Sequence, residues 1–272
     1  MAEWVRKIAI DWQIDYYLQE AESSLPETEA AARTWRYQSL VEIAQQENFT
    51  YIVTGHTKSD QAETLLYNLI RGAGADGLSS LTWQRWLTPA IQLIRPILDL
   101  TRQETLAFCQ QFELPIWFDS VNHNLKYARN RIRQELIPNL QANFNLQVEN
   151  SLAQTAELLK ADVEYLNILA RELLKQVRSS DCQKLNRYLL RQQPLSLQRR
   201  TIRQFLEEII HKNPNFEQIE AVRALITAPN KTRTSTLSRQ IVAEVSGKWI
   251  IFNKISIMKA SNNTRSNQKN FE

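Results

Sequence analysis

The stretch "TGHTKSDQAETLLYNLIRGAGADG", residues 54–77, sets Asp60 and Glu63 three positions apart just after a polar helix start. If a helix begins at Ser59 or just before, Asp60 lies in its first turn and Glu63 one turn later, so both carboxylates face the same space. Helix capping explains part of this. Thr57 and Asp60 match the Ser/Thr-x-x-Asp/Glu capping box, and an acid in the first turn favours the helix dipole by roughly 0.3–1 kcal/mol. Capping does not explain Glu63, His56 beside Gly55, or the run "RGAGADGL", whose glycines permit tight backbone conformations after a helix. A second group, "FDSVNHNLKYARNRIRQELIP" (118–138), puts Arg129 and Arg133 four apart on one helix face, with Ile132 and Leu136 as an apolar stripe and Arg131 pointing elsewhere. Paired guanidiniums suit phosphate or carboxylate recognition; a solvated basic helix is the bland alternative. In "TEAAARTWRYQSL", Arg33 and Arg36 share a face while Trp35 and Tyr37 largely point away, a weaker signal. Farther on, every charged residue from Lys184 to Arg203 is basic (Lys184, Arg187, Arg191, Arg199, Arg200, Arg203). Such a one-sign run attracts a phosphate backbone or coats a solvated helix.

These side chains need elements to hold them. Up to about residue 140, short β-like runs alternate with amphipathic helical stretches. The runs are 14–19, 50–55, 91–96 and 114–119; the helices are 2–12, 27–47, 59–71, 101–112 and 127–140, with Pro26, Ser59 and Thr101 near their starts. The alternation reads as an α/β domain on a parallel sheet, where ligands sit beyond the carboxyl ends of the strands. "VTGHTKSD" occupies such a position, directly after a strand and leading into a helix. Beyond 145 the texture turns helical, with a long run at 147–177 and shorter ones near 196–210 and 216–227, before two strands meet at Ser246 and Gly247. The expected organisation is therefore an α/β domain over 1–145, a mainly helical domain with a small C-terminal β-hairpin over 146–259, and a polar, disordered tail over 260–272.

The bulk properties are those expected of a soluble, unexported protein of two domains. The chain has 272 residues, is 43% hydrophobic and carries a net charge of +4. No run of about eighteen apolar residues offers a membrane span, and the charged start "MAEWVRKIAI" is unlike a signal peptide. Cys109 and Cys182 have no CxxC spacing and the three histidines form no ligand pattern, so no metal site is expected from these residues and the cytoplasm is the expected location.

Four ordered motifs carry a resemblance. They are "ExxARxxRY" (Glu29, Ala32, Arg33, Arg36, Tyr37), "GHxxxDQAETxLxxLxRGxGxxGL" (Gly55 to Leu78), "RPIL" (Arg95 to Leu98) and "DSxNxxxxYxRNxIRxxxxP" (Asp119 to Pro138). Together they resemble the tRNA(Ile)-lysidine synthetase family, densely over residues 1–145 and in general layout beyond. The resemblance implies an ATP-pyrophosphatase (PP-loop) domain, adenine nucleotide α-hydrolase-like, joined to a helical tRNA-contacting domain. It implies ATP and Mg2+ as cofactors, and L-lysine and an isoleucine tRNA as substrates; it leaves a homodimer open and involves no membrane. In that family, ATP activates C2 of the wobble cytidine and the lysine ε-amine displaces AMP to give lysidine. Carried over residue by residue, Asp60 and Glu63 would hold the ammonium groups of lysine. Arg36 and Arg129 would meet phosphate or developing charge, His56 and Gly55 would edge the nucleotide site, and Arg133 with the basic run 184–203 would contact tRNA.

Two departures qualify this. Thr57 and Ser59 stand where many members have a second histidine and a further acid. The Ser-Gly-Gly-x-Asp-Ser loop that cradles pyrophosphate and helps bind magnesium in the family has no counterpart here, because the five glycines (Gly55, Gly72, Gly74, Gly77, Gly247) include no adjacent pair. The expected sheet is therefore an incomplete doubly wound one lacking its first strands, and the chain is expected to be inactive alone. The alternatives are a non-catalytic tRNA-binding remnant or a subunit that borrows a phosphate loop from a separate polypeptide. A thiolating relative would want cysteines near the site, whereas Cys109 lies mid-helix on an apolar stretch.

Overall fold

The computed structural model describes residues 2–21, 28–79, 81–117, 124–238 and 241–254. The leading part of the last motif (Asp119, Ser120, Asn122) and the expected disordered tail lie outside them. The chain divides into two compact units, Met1–Val163 and Glu164–Glu272. The division falls within one long helix rather than near 145, since Val148 and Leu152 at the start of that helix pack into the first unit's core.

In the first unit the order is α1 (Ala2–Asp11), α2 (Glu29–Gln46), β1 (Tyr51–Val53), α3 (Lys58–Ile70), α4 (Ala75–Leu78), β2 (Gln84–Trp86), β3 (Gln92–Ile94), α5 (Arg102–Gln111), α6 (Ala128–Arg131), a π-helical turn (Ile132–Leu136), α7 (Ile137–Asn143) and the first part of α8 (Val148–Val177). Threonines start three of the helices. Thr28, Thr57 and Thr101 each accept a backbone N–H from three residues on, and the last two complete capping boxes with Asp60 and Glu104. Thr57, two residues before Ser59, is the start of α3, and Thr28 that of α2; Pro26 lies outside the described residues.

The sheet runs β1-β3-β2. β1 and β3 are parallel, with Ile52 opposite Leu93, while β2 joins antiparallel as a third strand, so the sheet is mixed rather than wholly parallel. The runs 14–19 and 114–117 are not strands. Extended backbone needs a neighbouring ladder for its hydrogen bonds, and no described strand pairs with either segment; Ile14, Leu18 and Trp117 remain exposed. Tyr37, Leu40 and Val41 of α2 pack on Ile52, Ile91 and Leu93 of the sheet, while Ala62 and Leu66 of α3 pack on Ile132 and Ile137. Those two isoleucines are five apart, the spacing of a π turn, and Ile137 N–H donates to Ile132 C=O across that wider ring. Pro138 follows at once and has no N–H with which to continue a regular ladder.

The second unit holds the rest of α8, β4 (Lys184–Asn186), α9 (Arg187–Arg191), α10 (Leu195–Ile210), α11 (Phe216–Ala224), β5 (Ile241–Ser246) and β6 (Trp249–Lys254). The hairpin expected around Ser246 and Gly247 is present, and β4 adds an antiparallel third strand beside β6. Ile202, Phe205 and Leu206 of α10 pack with Val177, Leu185, Val222, Val245 and Ile250 into one apolar core. Among the described residues no helix is long and apolar enough to cross a membrane.

Behind the site, the corner from α3 into α4 depends on Gly77. Its carbonyl accepts from Asn68 Nδ2 at 2.7 Å, and a Cβ there would stand 2.7 Å from the Ala73 Cβ. Gly77→Ala is therefore expected to destabilise the chain by about 1–3 kcal/mol, read from the urea midpoint at unchanged m-value.

Candidate active site

The segment after β1 builds the site. Thr54 and Gly55 leave the strand, His56 turns, and Thr57 starts α3. A cavity of about 380 Å³ opens there, bordered by Arg36, Tyr37, Thr54, Gly55, His56 and Asp60. Four of the residues expected to act together (Arg36, Gly55, His56, Asp60) thus meet at one cavity, beyond the carboxyl end of a strand.

Asp60 and Glu63 share a face of α3, as their spacing requires, and two guanidiniums occupy that face. Arg102, at the first position of α5, donates to Asp60 Oδ1 at 2.8 Å and to Glu63 Oε1 at 2.9 Å. Arg133, on the π turn, grips Glu63 with two bonds, Nε to Oε1 at 2.7 Å and Nη2 to Oε2 at 2.9 Å, and comes within 3.6 Å of Asp60 Oδ1. The Glu63 carboxylate holds the Arg133 guanidinium above its already high basicity. The Glu63 side chain is only 4% exposed, against 23% for Asp60. Asp60 is therefore the acid that borders the cavity, and Glu63 is the buried anchor behind it. The other Asp60 oxygen takes the backbone N–H and the hydroxyl of Thr57. Arg133, expected to contact tRNA, is turned inward instead.

Thr57 and Ser59, the two departures from the family pattern, have clear work. Thr57 caps α3. Ser59, 1% exposed, accepts the backbone N–H of Arg102 and donates to Glu149 Oε2, pinning α3 to the start of α5 and to α8. Sequence reading missed Arg102, although Thr101 as a helix start fixes where Arg102 must be.

Arg129 does not line the cavity; its guanidinium lies over the Tyr67 ring at 5.5 Å. The 184–203 run is acid-free in sequence but not in space. Lys184 pairs with Asp181, Arg199 with Glu220 and Arg203 with Glu207, while Arg200 donates to Asn167 and Arg187 to the Ala228 carbonyl. Among the described residues no group of three or more His, Cys, Asp or Glu is placed to hold a metal.

His56 is neutral at physiological pH. Burial, reinforced by the Arg95 guanidinium, pushes its pKa from the ordinary 6.5 down to about 4, and its Nδ1 lies 2.8 Å from the Thr54 hydroxyl. Arg95 itself is buried to 1% exposure, and burial lowers its pKa too.

A nucleotide-sized cavity at the mouth of a parallel strand pair, with one arginine, Arg36, on its wall, fits an α/β enzyme of the ATP-binding type. The PP-loop domain family model matches residues 1–140, which defines the class of the first unit. The relatives narrow it further. The tRNA(Ile)-lysidine synthase of Nostoc sp. is 54% identical over 264 residues, covering 92% of this chain and 77% of the relative. Those of Synechocystis sp. and Thermosynechococcus vestitus are 49% and 47% identical, each over 92% of this chain and over 77% and 72% of their own lengths. The chain belongs to the tRNA(Ile)-lysidine synthase family, and it is an enzyme of the ligase class.

The state of His56 has a consequence for stability. Between pH 6.5 and about 4 the unfolded chain binds a proton at this residue and the folded chain does not, so His56 makes the fold lose stability as pH falls through that window. His56→Asn, which keeps a partner for Thr54, is expected to flatten the slope of stability against pH between 6.5 and 4. Urea unfolding across that range measures it.

Proposed function

We propose that the cavity at Arg36, Gly55, His56 and Asp60 is where this chain takes part in joining lysine to C2 of the wobble cytidine of the AUA-reading isoleucine tRNA, at the expense of ATP. The observation that carries this reading is the meeting of those four residues in one cavity, within a chain about half identical to relatives named for that product. In the reaction the cytidine O2 attacks the α-phosphorus of ATP, pyrophosphate leaves, and the lysine ε-amine then attacks C2 and releases AMP.

Each residue has a part that its setting supports. Arg36, on the cavity wall, offers a cation to the phosphates, where positive charge stabilises the charge that develops on them. His56, neutral, offers a hydrogen bond rather than a charge. Asp60 receives a lysine ammonium in exchange for its own bond to Arg102, which keeps its second bond, to Glu63. Glu63 keeps Arg133 in place and supplies the negative potential behind Asp60. Arg129, over the Tyr67 ring, is near enough to His56 to lower its basicity and adds positive potential at that edge of the cavity. For magnesium the described residues do not fit: the acids nearest the cavity are already ion-paired, so no step is routed through the ion.

The test separates the substrates. With the remaining length of the Nostoc relative supplied in the same polypeptide, Asp60→Asn is expected to raise the lysine KM by about 10- to 100-fold, since a hydrogen bond to a charged group contributes about 1.5–3 kcal/mol. The ATP KM should move less than about twofold. An unchanged lysine KM would remove Asp60 from the amine site.

A further inference from the structure

A second groove, of about 470 Å³, shares Tyr37 with the cavity at His56. Arg33 of α2 and Arg85 of β2 flank it, and Val41 and Leu87 give it an apolar floor. The two guanidiniums lie over the same Tyr37 ring, at 5.1 and 5.0 Å from its centroid. Beside them is Arg95, wholly buried, bonded to the Thr82 carbonyl and to Tyr37, with its Nε unpartnered among the described residues. Both Arg33 and Arg85 are near enough to Arg95 to lower its basicity.

These cations lack counter-charge. Several arginines elsewhere are paired with acids: Arg102 and Arg133 with Asp60 and Glu63, Arg178 with Glu208, Arg199 with Glu220. Among the described residues no carboxylate stands within ion-pair distance of Arg33, Arg85 or Arg95. The segment 77–98, which brings Arg85 and Arg95, contains no Asp or Glu at all. Two guanidiniums over one aromatic ring, with no acid beside them and an apolar floor, together form a receptor for an anion carrying a flat apolar body. A nucleotide has both parts, the phosphate for the arginines and the base for the floor.

We infer that the groove between Arg33 and Arg85 binds a phosphodiester and its adjoining base in the single-stranded anticodon loop of the tRNA, next to the nucleotide being modified. The inference rests on the proposed tRNA substrate and adds to it a docking subsite that shares Tyr37 with the reaction cavity. RNA is favoured over free ATP as the phosphate source because the reaction cavity, which shares Tyr37 with this groove, already has its own arginine, Arg36, and a chain of nucleotides reaches both hollows at once.

The experiment measures binding of the 272-residue chain to an isoleucine-tRNA anticodon stem-loop by fluorescence anisotropy, without ATP or lysine, at several salt concentrations. A parallel titration uses ATP alone. Losing one phosphate contact on a single strand is expected to reduce the slope of log K against log salt by about 0.7, which at 0.1 M salt is about a fivefold loss of affinity. Arg85→Ala and Arg33→Ala should each show this, with ATP binding unchanged, and Arg85→Lys should restore the slope. Unaltered RNA affinity and slope in both alanine variants would overturn the subsite, and so would a loss confined to ATP. Failure of Arg85→Lys to recover any binding would assign the loss to disturbed folding and overturn it too. Because no lysine chemistry is read, a negative result here leaves the amine-site test at Asp60 separate.

Discussion

The first unit hangs on a buried carboxylate. Glu63 is closed off from solvent and met by two guanidiniums, Arg102 from the start of α5 and Arg133 from the π turn, so three chain segments distant in sequence share one ionic knot. A buried ion pair contributes little net stability compared with an apolar replacement, but removing one partner leaves a stranded charge and costs about 3–5 kcal/mol. That asymmetry makes the knot an aligning device. It fixes the rotation of α3, and with it the direction in which Asp60 faces the cavity. The π turn belongs to the same arrangement, because it lets Ile132 and Ile137 both reach the core while Arg133 reaches Glu63.

Around that knot the charges are distributed unevenly. On the α3–α5 side carboxylates and guanidiniums cancel. On the α2–β2 side Arg33, Arg36, Arg85 and Arg95 gather about Tyr37 without acids in ion-pair distance among the described residues, and the cavity with the candidate reacting groups lies between the two sides. A field of this kind draws the phosphates of a substrate towards one wall and a positively charged amine towards the other. The neutral His56 stands at the boundary, where a second positive charge would meet Arg95.

The sequence showed most of the elements because helix starts and apolar periodicity are local. Thr57 with Asp60 named a helix start that is present, the i, i+3 spacing of Asp60 and Glu63 named a shared face, and the hairpin around Gly247 followed from alternation. What it hid was non-local. The runs at 14–19 and 114–117 have β-like composition but lack a described partner strand, and β2 and β4, three residues each, are too short to show alternation. The basic run at 184–203 looked unpaired because Asp181, Glu207 and Glu220, which neutralise it, lie outside the window. Arg102 was overlooked for the same reason: its importance lies in what it touches forty residues back, not in its neighbours.

The ionic knot also limits how the sequence can drift. Replacing Arg133 alone takes two bonds from the closed-off Glu63 carboxylate, whereas a joint change of acid and base to apolar residues of like volume strands no charge. The intermediate step is the unfavourable one. These positions are therefore tied epistatically: each one's tolerance of a new side chain depends on which residue already occupies the others. Lineages that leave this arrangement have to pass through a less stable ancestor or change two codons together.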